Sequence, residues 1–85
     1  MTGRHHPPRR ARIVFYDVAQ EQVEAMTPAE LALLEPALDA IARDPGIGDT
    51  SKNAAYREYR TPSVRVLYVP TALGTLVLVA YVETG

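Results

Sequence analysis

The chain of 85 residues contains no cysteine. That absence removes disulfide frameworks, thiolate zinc sites and thiol nucleophiles together. It also has almost no net charge, with nine Lys and Arg against ten Asp and Glu. A balance of that kind argues against a protein held on nucleic acid or membrane by bulk charge alone. Long apolar runs are missing too. The start from Met1 to Arg10 is polar and has no apolar stretch of the kind a signal peptide needs. The apolar run Leu76–Val82 is far short of the roughly 20 residues that a membrane helix takes. The expected location is therefore the cytoplasm, away from membrane. The only histidines are His5 and His6, whose side chains point apart and have no third partner, so no metal site is expected. Ser51 and Ser63 have no histidine near them in sequence, and Gly46 and Gly48 lack the context of a phosphate-binding loop. No cofactor is expected.

What is present is a chain rich enough in apolar residues to fold, at 47%. Its length fits one small domain. The charges are segregated: residues 1–12 carry +4, residues 13–49 carry −7 and residues 50–85 carry +2. Two readings stay open. The acids can be solvated helix faces, or the basic end can form a face for an anionic partner.

Residues 1–11 read as a flexible basic tail, with Pro7-Pro8 holding an extended path. Residues 12–85 read as a single domain. Arg12–Val18 is β-branched and aromatic and predicts a strand. Both of its faces are apolar at the centre, which predicts an interior position or cover on both sides, with Tyr16 packed. Ala19, Val23 and Met26 make one stripe of a short helix over 18–26. Thr27-Pro28-Ala29-Glu30 is a helix start with a capping box. The second helix runs to about Arg43, with Leu31, Leu34, Leu38 and Ile41 toward the core. Pro36 inside it predicts a kink or break near 34–36. Residues 47–53 read as a polar loop and Ala55–Arg60 as a strand. Val64–Val69 and Thr75–Glu83 are the clearest strands, joined by a hairpin loop. The expected fold is α+β, in the order β-α-α-β-β-β. A two-helix hairpin covers one face of a small, mainly antiparallel sheet and leaves the other face open.

Within that order, three stretches resemble the RelE/ParE family of bacterial toxins: Leu38-Asp39-Ala40-Ile41-Ala42-Arg43-Asp44-Pro45, Tyr56-Arg57-Glu58-Tyr59-Arg60 and Val64-Arg65-Val66-Leu67-Tyr68. The likeness covers about residues 12–83. It implies the toxin of a type II toxin–antitoxin pair, with a cognate antitoxin as partner. In the family's ribonuclease branch the ribose 2′-hydroxyl of ribosome-bound messenger RNA attacks the adjacent phosphate; another branch acts on DNA gyrase. Arg65 matches the strand arginine that contacts the scissile phosphate, and Arg60 matches a frequent basic position on the preceding strand. Arg57 and Lys52 extend the set toward RNA binding. The family's ribonucleases also use groups beyond the last strand, where this chain has only Glu83-Thr84-Gly85. The resemblance therefore implies a messenger RNA endonuclease with weakened or lost activity.

The residues also allow a different class of function: a non-catalytic module that binds a partner, or itself as a homodimer, through the open sheet face. On that reading Arg65 pairs with Glu58 or Glu83 across the strands. Arg57 and Arg60, three positions apart, fall on opposite faces of a regular strand. Tyr56, Tyr59, Tyr68 and Tyr81 could stack on bases, but packing is the ordinary role of tyrosine in a strand.

Overall fold

The computed structural model describes residues 10–52, 55–71 and 74–85. Elements run in the order β1 (Arg12–Phe15), α1 (Asp17–Glu24), α2 (Pro28–Arg43), β2 (Asp49–Thr50), β3 (Arg57–Arg60), β4 (Val64–Pro70) and β5 (Leu76–Thr84). The five strands form one sheet in the spatial order β1-β5-β4-β3-β2. β1 lies parallel to β5, and every other pair is antiparallel.

Alternation along the two long strands divides the sheet. Val64, Val66 and Tyr68 of β4, with Val77, Val79 and Val82 of β5, are buried under the helices. Leu34, Ala37 and Ile41 of α2 and Ala19 of α1 meet them from above. The alternation slips once on β5. Leu67 pairs with Tyr81 and Tyr68 with Val79, so Ala80 is an extra residue, a β-bulge. Beyond the bulge, the Val82 N–H donates to Gln22 Oε1 of α1 at 2.8 Å. A helix side chain thus satisfies a strand donor.

α2 starts as its sequence predicts. The Glu30 N–H donates to Thr27 Oγ1 at 3.2 Å, and the Thr27 N–H donates to Glu30 Oε1 at 2.9 Å. These two bonds hold the Glu30 carboxyl below its ordinary range.

Several expectations are corrected. α2 does not break at Pro36 but continues from Pro28 to Arg43. Pro36 and Ala32 both lie on its exposed side, so the carbonyl that the proline leaves without a donor faces solvent. Of the expected stripe, Leu34 and Ile41 are buried, and Ala37 and Ala42 join them, while Leu31 and Leu38 are only half-buried. β1 is an edge strand, and its outward Val14 is 38% exposed because the helices cover one face only. Tyr16 is not buried; it stands at the N-cap position of α1, makes no side-chain capping bond and is exposed. The loop expected at 47–53 contains a short strand, since Asp49 and Thr50 pair with Glu58 and Arg57. Arg10 and Ala11, which composition assigns to the tail, are held by the domain. Ala11 is buried and its N–H donates to the Ala42 carbonyl at 2.8 Å, while Arg10 pairs with Asp39. The rest of the tail lies outside the described residues, as does part of the β4–β5 loop. No helix among the described residues is long and apolar enough to cross a membrane.

Candidate functional site

The open face of the sheet is built from the residues that the core alternation leaves over. β4 presents Arg65, Leu67 and Val69, and β3 presents Glu58 and Arg60. The register fixes this, because Glu58 pairs with Leu67 and Arg60 with Arg65. On β5, Tyr81 sits opposite Leu67, and Glu83 sits opposite Arg65.

Two arginines directly opposed across strands would repel. Here one carboxylate separates them. Glu58 Oε2 accepts from Arg60 Nη2 at 2.9 Å and, at the same oxygen, from Arg65 Nε. Arg60 first, then Arg65, holds the Glu58 carboxyl below its ordinary range. Glu58 in turn raises the Arg65 guanidinium further above its already high value. Arg65 has a second acid in Glu83, whose oxygen lies 3.8 Å from Nη1. It also sits over the Tyr81 ring, 5.9 Å from the centroid, within cation–π range.

Beside this cluster the face is hollow, with a volume of about 670 Å³. Thr50, Ser51 and Lys52 wall one side, Tyr56 and Glu58 follow, and Arg65, Leu67 and Ala80 form the floor. A second hollow of about 530 Å³ lies past the β3–β4 turn, between Arg60, Ser63, Glu83 and Gly85. Arg65 lines both.

The wall of the first hollow is held from the opposite side of the sheet. Tyr68 is fully buried. Its hydroxyl accepts from the Gly48 N–H at 2.9 Å and donates to the Pro45 carbonyl at 2.8 Å. Burial pushes this phenol above its ordinary range, which keeps it a neutral donor. Only glycine permits the approach at 48: a Cβ there would stand 2.8 Å from the Glu58 carbonyl oxygen and 2.8 Å from the Tyr68 hydroxyl. Arg57 adds two bonds, from Nη2 to the Gly46 carbonyl at 3.0 Å and from Nη1 to Thr50 Oγ1 at 3.4 Å. The Ser51 N–H donates to the Tyr56 carbonyl at 3.1 Å, which closes the loop.

The residues singled out in sequence thus separate. Arg65, Arg60 and Lys52 come to the open face around the hollows. Arg57 does not; it pairs in register with buried Tyr68 and clamps the loop from Gly46 to Thr50. Tyr56 lines the hollow, Tyr59 packs on the core, and Tyr81 underlies Arg65. Sequence reasoning missed the Tyr68–Gly48–Pro45 latch. Glycine before a short paired segment was the one available signal. No group of three or more acids or histidines able to hold a metal ion occurs among the described residues.

No family model matches the chain, and no curated protein does. Solved structures do. A chain of the Mycobacterium tuberculosis toxin–antitoxin complex RelBE2 superposes with a TM-score of 0.76 at 22% identity, over 89% of this chain and 99% of that one. A chain of the intact Escherichia coli RelBE complex gives 0.74 at 15% identity, over 88% and 96%. An E. coli toxin RelE variant with two arginines changed to alanine, bound to an antitoxin peptide, gives 0.70 at 15% identity, over 89% and 84%. The same RelE variant matches in its free state, so the toxin is the subunit that is alike.

The chain has a RelE-like fold.

The likeness takes in both helices and the mixed sheet, the α+β arrangement that the element order predicts. The RelE-like frame leaves one sheet face uncovered, and the Arg65 cluster lies on that face.

Proposed function

We propose that this RelE-like chain is the toxin-like component of a toxin–antitoxin pair, with a cognate antitoxin as partner and RNA as the ligand of its open face. The observation that carries this reading is the extent of the likeness: 99% of the M. tuberculosis chain and 96% of the E. coli chain find a counterpart here. On this reading Arg65 supplies the fixed positive charge for a phosphate, and Lys52 and Arg60 flank it. Glu58, Glu83 and Tyr56 are among the proton donors and acceptors that line the two hollows. Glu58 is a poor base at neutral pH, because its two arginine partners keep its pKa low. Arg65 already holds two acids, which supports a nuclease of reduced activity rather than a vigorous one.

The reading is tested by expressing wild type and Arg65→Ala from a tight promoter in a bacterium, then following growth and messenger integrity. Growth arrest with cut transcripts, lost in Arg65→Ala, is the expected result. Absence of arrest at good expression removes the toxin reading in that host.

One observation favours a second reading, a non-catalytic interaction module. The centre of the open face, with Leu67, Val69, Leu76 and Leu78, is apolar and half-buried. Binding of a protein partner that survives Arg65→Ala and leaves messengers intact would select it.

A further inference from the structure

The four charged side chains of the open-face cluster, Glu58, Arg60, Arg65 and Glu83, sum to zero. A phosphate approaching Arg65 therefore meets a cluster with no net charge, although two guanidinium groups stand side by side. Both point at a single oxygen, Glu58 Oε2. A carboxylate oxygen between two guanidinium groups is the contact that a phosphate oxygen makes with the same donors. Its position is central: Arg65 borders the hollows on either side, so a chain crossing from one to the other passes over this pair. Lys52 stands on the wall of the larger hollow, outside the cluster.

From this geometry we infer that Glu58 is a built-in anion, seated where a backbone phosphate of single-stranded RNA binds between Arg60 and Arg65, and that it sets the affinity of the face for RNA. RNA binds by exchange. The phosphate takes the two guanidinium groups, and Glu58 gives them up. That exchange leaves Glu58 charged and next to a like charge, which opposes binding. Removing the charge at 58 frees both donors without changing the shape of the face. Glu83 plays a lesser part, since its oxygen is 3.8 Å from Arg65 and its side chain is mostly exposed. The inference rests on the toxin reading only in taking RNA as the ligand.

The experiment uses the full chain and a short fluorescein-labelled single-stranded RNA, with binding read by anisotropy across a salt series. Glu58→Gln is expected to tighten binding about tenfold at low salt, the scale of one charge-assisted contact. The log–log salt slope should steepen by about 0.7, the increment for the one phosphate that the two arginines share. Glu83→Gln should do the same more weakly. Adding Arg65→Ala to Glu58→Gln should abolish the gain. Glu58→Asp keeps the charge on a shorter arm that cannot span both arginines, and should bind with intermediate affinity. It carries the test if Glu58→Gln loses its far-UV circular dichroism. Binding by folded Glu58→Gln no tighter than wild type, or by Glu58→Asp where Glu58→Gln is unfolded, overturns the inference. The toxin reading is separable from it. Growth arrest by wild type with no RNA binding in any variant sinks the inference and leaves the toxin. Tighter RNA binding by Glu58→Gln in a chain that never arrests growth supports the inference and removes the toxin.

Discussion

On its helix side β4 presents Val64, Val66 and Tyr68, all buried; on its open side it presents Arg65, Leu67 and Val69, all half-buried. The two sets differ in what surrounds them. The first lies in the core under α2 and beside β5 and has one polar atom, the Tyr68 hydroxyl, with both of its bonds made. The second carries a charge cluster with solvent on one side. A strand alternates its side chains, so a single seven-residue segment can give one set to the core and leave the other facing solvent. The connection between the two runs through the loop from Asp44 to Lys52. Tyr68 and Arg57 hold that loop from the helix side, and its end walls the hollow on the open side.

The contrast can be probed by substitutions on each side. The largest loss of stability is expected from Ile41→Ala, which empties a fully buried position over the sheet. Urea unfolding should show a decrease of about 2–5 kcal/mol. Next come the two residues of the latch. Tyr68→Phe leaves the Gly48 N–H and the Pro45 carbonyl without partners and should cost about 1–3 kcal/mol. Gly48→Ala drives a methyl group against the Glu58 carbonyl and should cost a similar amount, about 1–3 kcal/mol. Because both changes act on one contact, the double variant should lose less than the sum of the single losses. A fully additive result would break the latch account. Arg65→Ala, on the open side, should leave the thermal midpoint close to that of wild type, as expected for a partly solvated ion pair.

The smallest effect is a dependence on pH. Glu58 has a folded pKa below its unfolded value, so its pairing adds stability above the unfolded carboxyl value of about 4.3. That contribution is lost as the pH falls through the lower folded value. Glu30 behaves in the same direction through its capping bonds, so the useful quantity is the difference between wild type and Glu58→Gln. The gap in stability should be present at pH 7 and close on acidification. A gap that widens in acid would contradict the ion-pair geometry.

Much of this division can be read from the chain. The β-branched runs Val64–Val69 and Thr75–Glu83, the capping box at Thr27 and the stop at Asp44-Pro45-Gly46 all describe local physics, and the elements they mark are present. What was not legible depends on contacts distant in sequence. The place of β1 at the sheet edge follows from pairing with β5, more than 60 residues away, and not from its own apolar faces. Pro36 is tolerated because Ala32 is exposed, a matter of how α2 lies on the sheet. β2 has two residues, too few to show a period. At the site, strand parity separated Arg57 from Arg60, and the opposition of Arg65 to an acid was anticipated. The Glu58 bridge to both arginines needed the β3–β4 register. Tyr68 reads in sequence as any strand tyrosine; its hydroxyl bonds residues 20 and 23 positions away.

The central claim is that the open face acts while the helix face holds the fold. It is tested most directly by inducing wild type and Arg65→Ala in the same host, with growth and transcript integrity followed beside the thermal midpoint of each purified protein. The account predicts that wild type slows growth and cuts transcripts, and that Arg65→Ala does neither while keeping its midpoint. Arrest that persists undiminished in a folded Arg65→Ala would contradict it.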